Sequence, residues 1–217
     1  MIRVLLLLLA ICKTTFGDSF LPAVPGVFSS PTGKHLVRIE AADSVKDARG
    51  YWKQTEFNVF AYDEKTEAYQ RLIKFNVEGH PLRLFVNDAG THVVTIDQHF
   101  GVGYGQIAAI YSMDGKRLAE WKLTDLFGAQ SLYDLRGPLR DFRRSTSSIY
   151  WRGDAGWNRD QKSIWIAAPK RIDREEDGSA VRLPDLDSYV IDIENIEMRR
   201  VTPKAANQPA TPGGEGQ

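Results

Sequence analysis

Two residues at the end of one apolar stretch could do chemistry together. Asp97 and His99 are two positions apart, so in an extended strand both side chains point to the same side. A carboxylate beside an imidazole can share a metal ion or pass a proton. No third ligand can be identified from the spacing. We therefore expect a binding pair, and predict no catalytic residue, no metal site and no cofactor.

A glycine-rich loop, Gly101 to Gly105, follows this pair and contains Tyr104. Its spacing is superficially that of a dinucleotide-binding loop, whose phosphate chemistry needs a helix N-terminus directly after the glycines. Residues 107–111 have the pattern of a strand instead. The loop is therefore predicted to be an inter-strand loop or a ligand loop at the end of a sheet.

The stretch from Arg136 to Asp160 carries the highest density of chemically useful side chains, with six arginines, three aspartates and interleaved aromatic residues. Exposed aromatic rings beside arginines favour stacking on sugars or contact with an anionic or protein partner. The alternative is that Trp151 lies in a core strand and the arginines pair with nearby carboxylates. The loop from Trp151 to Trp157 is the part most suited to a shaped binding loop. The candidate binding residues are Asp97, His99, Tyr104, Trp151, Arg152, Asp154 and Trp157.

The elements that would position these residues are strands in three similar units. The first unit has a turn at Ser30 to Lys34, a strand in which His35, Val37 and Ile39 share one face, and a hairpin. The second unit has a turn at Asn87 to Gly90, and the third a turn at Asn158 to Lys162. Alternating apolar residues after a tight turn predict half-buried strands. The predicted strands after the first are 57–62, 70–75, 93–97, 107–111, 118–123, 163–168, 188–193 and 197–201.

Only one helix is predicted. Thr124 is a plausible N-cap for a helix over 124–135, which would end at Gly137-Pro138. Such a helix would be an insertion on a β scaffold.

The Ser30-Pro31-Thr32-Gly33-Lys34 turn resembles the Ser-Pro-Asp-Gly-Lys turn of the WD40-like repeats in TolB-type β-propellers, and Asn87 to Thr91 is a looser version of it. The resemblance implies propeller blades, each a small antiparallel sheet packed on its neighbours. Propellers close with about four to eight blades, whereas three units are found. The expected fold is therefore all-β, an antiparallel propeller-like stack of about three blade-like sheets with one short inserted helix. A β-sandwich is the alternative.

The two ends of the chain predict export and a polar tail. Residues 1–17 have the pattern of a signal peptide, with an apolar run of residues 4–11 that is shorter than the about 20 residues of a membrane span. Cleavage would leave a domain over 18–202 without cysteine, since Cys12 is the sole cysteine; lipidation of Cys12 is the alternative. Residues 203–217 lack bulky apolar side chains and are expected to be disordered. A secreted or periplasmic location follows, with no transmembrane segment in the mature chain.

Charge narrows the class of partner. The chain has 28 basic and 28 acidic residues, and loss of Arg3 and Lys13 with the signal leaves 28 − 2 = 26 basic residues. A slightly acidic mature chain argues against nucleic acid as a partner. Together with the missing catalytic signatures, this predicts a non-catalytic interaction module that binds a protein or a glycan through loops at the ends of sheets. A hydrolase acting on an extracellular polymer and a structural envelope component are the alternatives.

Overall fold

The computed structural model describes residues 25–41, 54–98, 102–128, 142, 148–169, 172–174, 180–182 and 187–201. These residues form three four-stranded antiparallel sheets, a two-stranded ribbon and a short helix. The first sheet has the order β1-β2-β3-β4 and the second the order β5-β6-β7-β8. The third has the order β14-β13-β10-β9, with the ribbon β11-β12 between β10 and β13 in sequence.

The first sheet contains β1 (Gly26–Ser29), β2 (His35–Ala41), β3 (Gln54–Asp63) and β4 (Ala68–Glu78). The second contains β5 (Pro81–Val86), β6 (His92–Gln98), β7 (Gln106–Ser112) and β8 (Arg117–Lys122). The third contains β9 (Ala155–Trp157), β10 (Ser163–Ile166), β13 (Ser188–Asp192) and β14 (Glu197–Val201), and the ribbon contains β11 (Ile172–Arg174) and β12 (Ala180–Arg182).

The same kind of turn joins the first two strands of every sheet. Gly33, Gly90 and Gln161 occupy these turns and all have positive φ, at 75°, 64° and 55°. Glycine adopts this conformation without a Cβ penalty, whereas a glutamine pays for it. The third turn therefore keeps the geometry of the other two despite its different residue.

The three sheets pack face to face, with the second sheet in the middle. On β7, Ala108 belongs to the apolar core shared with the third sheet and Ala109 to the core shared with the first. Both residues are fully buried. The middle sheet is thus covered on both faces, and its two central strands, β6 and β7, are buried on both sides, as expected for a doubly buried sheet. This arrangement confirms the predicted all-β, propeller-like stack of about three sheets.

The outer faces of the two terminal sheets differ in chemistry. On the first sheet, Lys74 Nζ lies 2.6 Å from Glu56 Oε2, and Arg38 pairs with Glu40. The outer face of the third sheet carries Trp165, which is 37% exposed. One end of the stack is therefore charged and internally paired, and the other presents an aromatic ring.

The helix α1 (Leu123–Phe127) follows β8 directly. It begins one residue before the predicted N-cap, because the backbone N–H of Lys122 donates to Asp125 Oδ2 at 3.2 Å and Lys122 takes the N-cap position. It ends at Gly128, whose φ of 58° closes the helix in the left-handed conformation. The predicted end at Gly137-Pro138 lies outside the described residues. Within the described segments, no helix has the length and hydropathy of a membrane span.

Several boundaries differ from the prediction in an informative way. The proline-containing lead-in contributes β1, an edge strand paired with β2 in the register Phe28↔Val37. The strand β5, which begins at Pro81, was not predicted, because its burial does not alternate. The stretch 151–157, predicted as a loop, ends in the short strand β9.

Candidate functional site

Asp97 lies at the end of β6 and is held by three donors. Trp151 Nε1 donates to Oδ1 at 2.8 Å, Arg152 Nε donates to Oδ2 at 2.6 Å, and the backbone N–H of Gly103 reaches Oδ1 at 3.4 Å. The Asp97 side chain is 0% exposed and that of Arg152 is 11% exposed. The pair is therefore a buried ion pair with further hydrogen bonds, the condition under which such a pair is tolerated.

The backbone at Asp97 explains why its carboxylate meets these donors. Asp97 has a φ of 53°, which is uncommon for a residue other than glycine and marks a local constraint. Simple alternation along β6 would place its side chain with Thr95 and Val93. The left-handed conformation interrupts that alternation, so the carboxylate points at Trp151 and Arg152 instead.

Burial dominates the titration of Asp97. It raises the pKa of this carboxyl above its ordinary value, and the Arg152 charge and the Trp151 and Arg152 hydrogen bonds oppose that rise. Removal of water penalises the charged form, whereas a neighbouring cation and donors favour it. The carboxylate is occupied on both oxygens by protein donors.

Of the predicted binding residues, the structure brings Asp97, Trp151 and Arg152 into direct contact. Trp151 is fully buried and packs edge-on against Tyr189, with ring centroids 5.6 Å apart. The alternative considered from the sequence, that Trp151 is a core residue, is therefore what the structure shows.

The other predicted residues lie apart from this contact. Asp154 is 83% exposed on its side chain, and its Oδ1 lies 3.6 Å from Arg83 Nη2. Trp157 packs edge-on against Phe85 on β5, with centroids 5.9 Å apart. His99 lies outside the described residues.

Tyr104 lines a cavity of about 340 Å³ at one end of the second sheet. Gly103, whose N–H faces Asp97, precedes Tyr104 directly, so the buried ion pair supports the loop that forms this wall. Gln98, the residue after Asp97, forms a neighbouring part of the wall. The cavity and the buried pair are thus built from the same short stretch of chain. The polar and charged residues that line the cavity include Gln98, Tyr104, Gln106, Arg117, Glu120 and Lys122.

The β8 side of the cavity is a short ladder of charges. Arg117 Nη1 lies 2.6 Å from Glu120 Oε2, and Lys122 Nζ lies 4.0 Å from Glu120 Oε1. The Glu120 side chain is only 26% exposed. The wall therefore offers guanidinium and ammonium donors beside a carboxylate acceptor.

The amide of Gln98 has an unusual position in this wall. Its Oε1 is buried without a hydrogen-bond partner among the described residues. A Cβ at Gly79 would lie 2.3 Å from that oxygen, and Gly79 has a φ of 73°. Glycine is favoured at residue 79, because its φ is positive and a side chain there would displace the Gln98 amide.

Sequence reasoning missed the β8 wall of this cavity. Arg117, Glu120 and Lys122 read as the solvated side of an ordinary strand, and nothing in their spacing distinguishes them from a surface charge ladder. Their pairing with a glycine loop some fifteen residues earlier depends on the sheet register, in which Gln106 lies opposite Lys122. In the part of the chain that the structure describes, no three histidine, cysteine or acidic side chains converge as a metal site would require.

Comparison with known proteins gives structural likeness alone. No protein-family model and no curated protein matches this chain. Similar solved structures include a protein from Lactobacillus plantarum, at 12% identity and a TM-score of 0.31, covering 74% of this chain and 40% of that one. Another is a protein from Bacteroides fragilis assigned provisionally as a 6-phosphogluconolactonase, at 13% identity and a TM-score of 0.37, covering 85% of this chain and 45% of that one. The chain spans less than half the length of either protein.

Proposed function

We propose that this chain is an exported, non-catalytic interaction module that binds a glycan in the cavity beside Tyr104. The observation that carries the proposal is the mixed wall of donors and acceptors around one aromatic side chain. Sugar hydroxyls both donate and accept hydrogen bonds, so they match a wall that has ammonium, guanidinium, amide and carboxylate groups together. Tyr104 lines the cavity while packing against the core shared with the third sheet, so it adds aromatic surface to a wall held in place by the fold.

Export and the origin of the sheets belong to the same proposal. The apolar run of residues 4–11 after Arg3 supports cleavage after Gly17 and a secreted or periplasmic location. The three positive-φ turns support descent of the three sheets from one repeated unit. A protein in this location can reach glycans outside the cytoplasm, which is the ligand class proposed here.

The hydrolase alternative has less support. It needs Asp97, His99 and Asp154 in one cleft with a carboxylate able to exchange protons. Both oxygens of Asp97 accept protein hydrogen bonds, and Asp154 lies beside Arg83. This arrangement fits glycan binding without hydrolysis.

Glycan titration of the mature chain tests the proposal. We expect Glu120→Gln to weaken binding of soluble oligosaccharides about tenfold, because it removes a charged acceptor from the wall. Glu194→Gln is the matched control: Glu194 also pairs with a lysine, Lys162 Nζ at 3.0 Å, but it lies in a turn of the third sheet. Calorimetry against a panel of neutral, acidic and amino-sugar oligosaccharides provides the measurement. An empty panel, or equal effects of the two variants, would contradict the proposal.

A further inference from the structure

The outer face of the third sheet carries a row of four residues, one from each strand. Gly156 on β9 lies opposite Trp165 on β10, Trp165 opposite Val190 on β13, and Val190 opposite Arg199 on β14. Their neighbours along the strands, such as Ile164 and Ile191, are fully buried on the other face. At the ~4.8 Å spacing of strands, the row spans about 14 Å.

The indole of Trp165 lies across the sheet. A Cβ at Gly156 would be 3.1 Å from Trp165 Nε1, 3.3 Å from Cε2 and 3.4 Å from Cζ2. The ring therefore covers the place that a side chain at residue 156 would fill, and one side of it stays open to solvent at 37% exposure. Glycine opposite the tryptophan is what allows the ring to lie down.

Hydrogen-bonding capacity surrounds this ring. The Trp165 indole carries one N–H donor, and the positive charge of Arg199 acts on Asp192, whose pKa it helps to lower. Asp192 and Glu197 lie on the same face, two residues from Val190 and Arg199 in the strand register. A flat apolar ring is thus bordered by the Arg199 guanidinium and by two carboxylates, of which Asp192 also accepts hydrogen bonds from Asn195.

The size of the patch selects the class of occupant. A free aromatic side chain exposes on the order of 200 Å², so a 37% exposed Trp165 and a 36% exposed Val201 offer on the order of 100 to 200 Å² of apolar surface. A stable protein interface buries about 800 Å² on each partner. A second copy of the chain would therefore find too little apolar area here, whereas a saccharide needs one ring and flanking hydrogen-bond groups.

We infer that this face, the Trp165 platform (Gly156, Trp165, Val190 and Arg199), is a second saccharide-binding site, suited to an extended polysaccharide chain. The pyranose ring stacks on the indole, and Arg199 and the indole N–H donate to its hydroxyls. The inference rests on the proposed function for its ligand class, but the platform and the cavity beside Tyr104 are different sites. The cavity beside Tyr104 would select a sugar unit, and the platform would hold the polymer.

Retention on insoluble chitin and on cellulose, with the full-length protein, tests the platform. We expect wild-type retention on at least one of the two, and a loss of about tenfold or more for Trp165→Ala. Gly156→Val retains the tryptophan but forces the indole off the sheet, and we expect it to lose retention as well. Tyr62→Ala is the control, since Tyr62 is an exposed aromatic residue on the first sheet, where it packs on Tyr69.

Three results would overturn the inference: no wild-type retention on either polymer, unchanged retention of Trp165→Ala, or a wild-type dimer in light scattering that Trp165→Ala dissociates. Far-ultraviolet circular dichroism shows whether each variant folds, and Gly156→Val carries the test if Trp165→Ala does not. Binding of soluble oligosaccharides, with its dependence on Glu120, separates failure of the platform from failure of the proposed function.

Discussion

Asp97 is the residue whose chemistry most depends on its surroundings. Its carboxylate is buried, paired with Arg152 and bonded to the indole of Trp151. Loss of one partner of such a pair leaves the other charge buried and uncompensated, which costs more than loss of a surface pair. The role of Asp97 is thus to anchor the loop that carries Tyr104.

Asp97→Asn is expected to lower the free energy of unfolding by about 3 to 5 kcal/mol, because Arg152 would remain buried without its counter-charge. Asparagine tolerates the positive φ at this position, so backbone strain does not confound the change. Urea denaturation measures the loss. Asp154→Asn is the control, and we expect it to cost less than about 1 kcal/mol because Asp154 is exposed. Equal losses for the two variants would refute the anchoring role.

Asp88 gives a pH-dependent prediction. Burial opposes ionisation of this carboxyl, but hydrogen bonds from the Thr32 side chain and backbone, at 2.6 and 3.0 Å, outweigh it and lower the pKa of Asp88. A lowered folded-state pKa stabilises the protein above the unfolded value of about 3.9, and this stability is lost as pH falls through the folded value.

Asp88→Asn should therefore cost about 0.5 to 1 kcal/mol at pH 7, allowing for solvent screening. The difference from wild type should shrink as pH falls through the lowered folded-state pKa of Asp88, since the wild-type carboxyl then becomes protonated. Thermal unfolding from pH 7 to pH 2 measures it. A difference that stays constant across this range would show that the charge of Asp88 plays no part.

The sequence predicted the importance of Asp97 and of the Trp151–Arg152 stretch, but not that they meet. Asp97 stood out as the polar end of an apolar strand, and Arg152 as part of an arginine-rich stretch. Their contact spans 55 positions and depends on a left-handed backbone at an aspartate, which no local pattern in the sequence requires. The periodicity of the sequence does not predict which residues meet at such a distance along the chain.

Turns are the elements that the sequence specifies best. The glycine turns predicted before the first strand of the first two units are confirmed at Gly33 and Gly90 by positive φ values. Gln161 takes the same conformation at a cost that glycine would avoid. Because the third turn lacks a glycine at this position, its sequence gives a weaker signal for the turn than the first two do. Strands β1 and β5 are harder to predict, because β1 is only four residues long and follows a proline-containing segment, and the burial of β5 does not alternate.

The turn at Gly90 also joins two sheets. A Cβ at Gly90 would lie 2.2 Å from His35 Nε2, so the imidazole of the first sheet rests directly on the turn of the second. Gly105 has a similar φ of 77°, but a Cβ there would meet nothing within 4 Å. Substitutions at the two positions can therefore separate the cost of the left-handed backbone from the cost of the clash with His35.

Gly105→Ala is expected to cost about 1 to 2 kcal/mol, the penalty of a left-handed alanine. Gly90→Ala should cost at least about 1 kcal/mol more, since the imidazole must move, and His35→Ala combined with Gly90→Ala should recover part of that excess. Chemical denaturation of the four proteins, including His35→Ala alone, measures these differences. Identical losses at residues 90 and 105 would show that the imidazole yields without cost.

At the scale of the whole molecule, the middle sheet couples the two others. Phe57 is fully buried between the first and second sheets, and Ile164 is fully buried between the second and third. Since both cores share the strands of one sheet, loss of either core exposes a face of the same element. The stack should therefore unfold as a unit.

Phe57→Ala is expected to lower the free energy of unfolding by about 3 to 5 kcal/mol, and Ile164→Ala by about 2 to 5 kcal/mol. Both losses come from the transfer free energy of the removed atoms and from the cavity they leave. Both variants should keep a single unfolding transition, followed by tryptophan fluorescence and far-ultraviolet circular dichroism together. Two separate transitions in either variant would show that a terminal sheet unfolds independently of the middle one.

The adjacent alanines at the centre of β7 constrain which substitutions can accompany one another as the sequence varies. Ala108 meets the third sheet and Ala109 meets the first, so each has its own set of compensating residues. An enlargement at residue 108 calls for a smaller side chain in the core shared with the third sheet, and one at residue 109 for a smaller side chain in the core shared with the first. These neighbours in sequence are therefore expected to vary independently in natural or selected variants, each together with a different outer sheet.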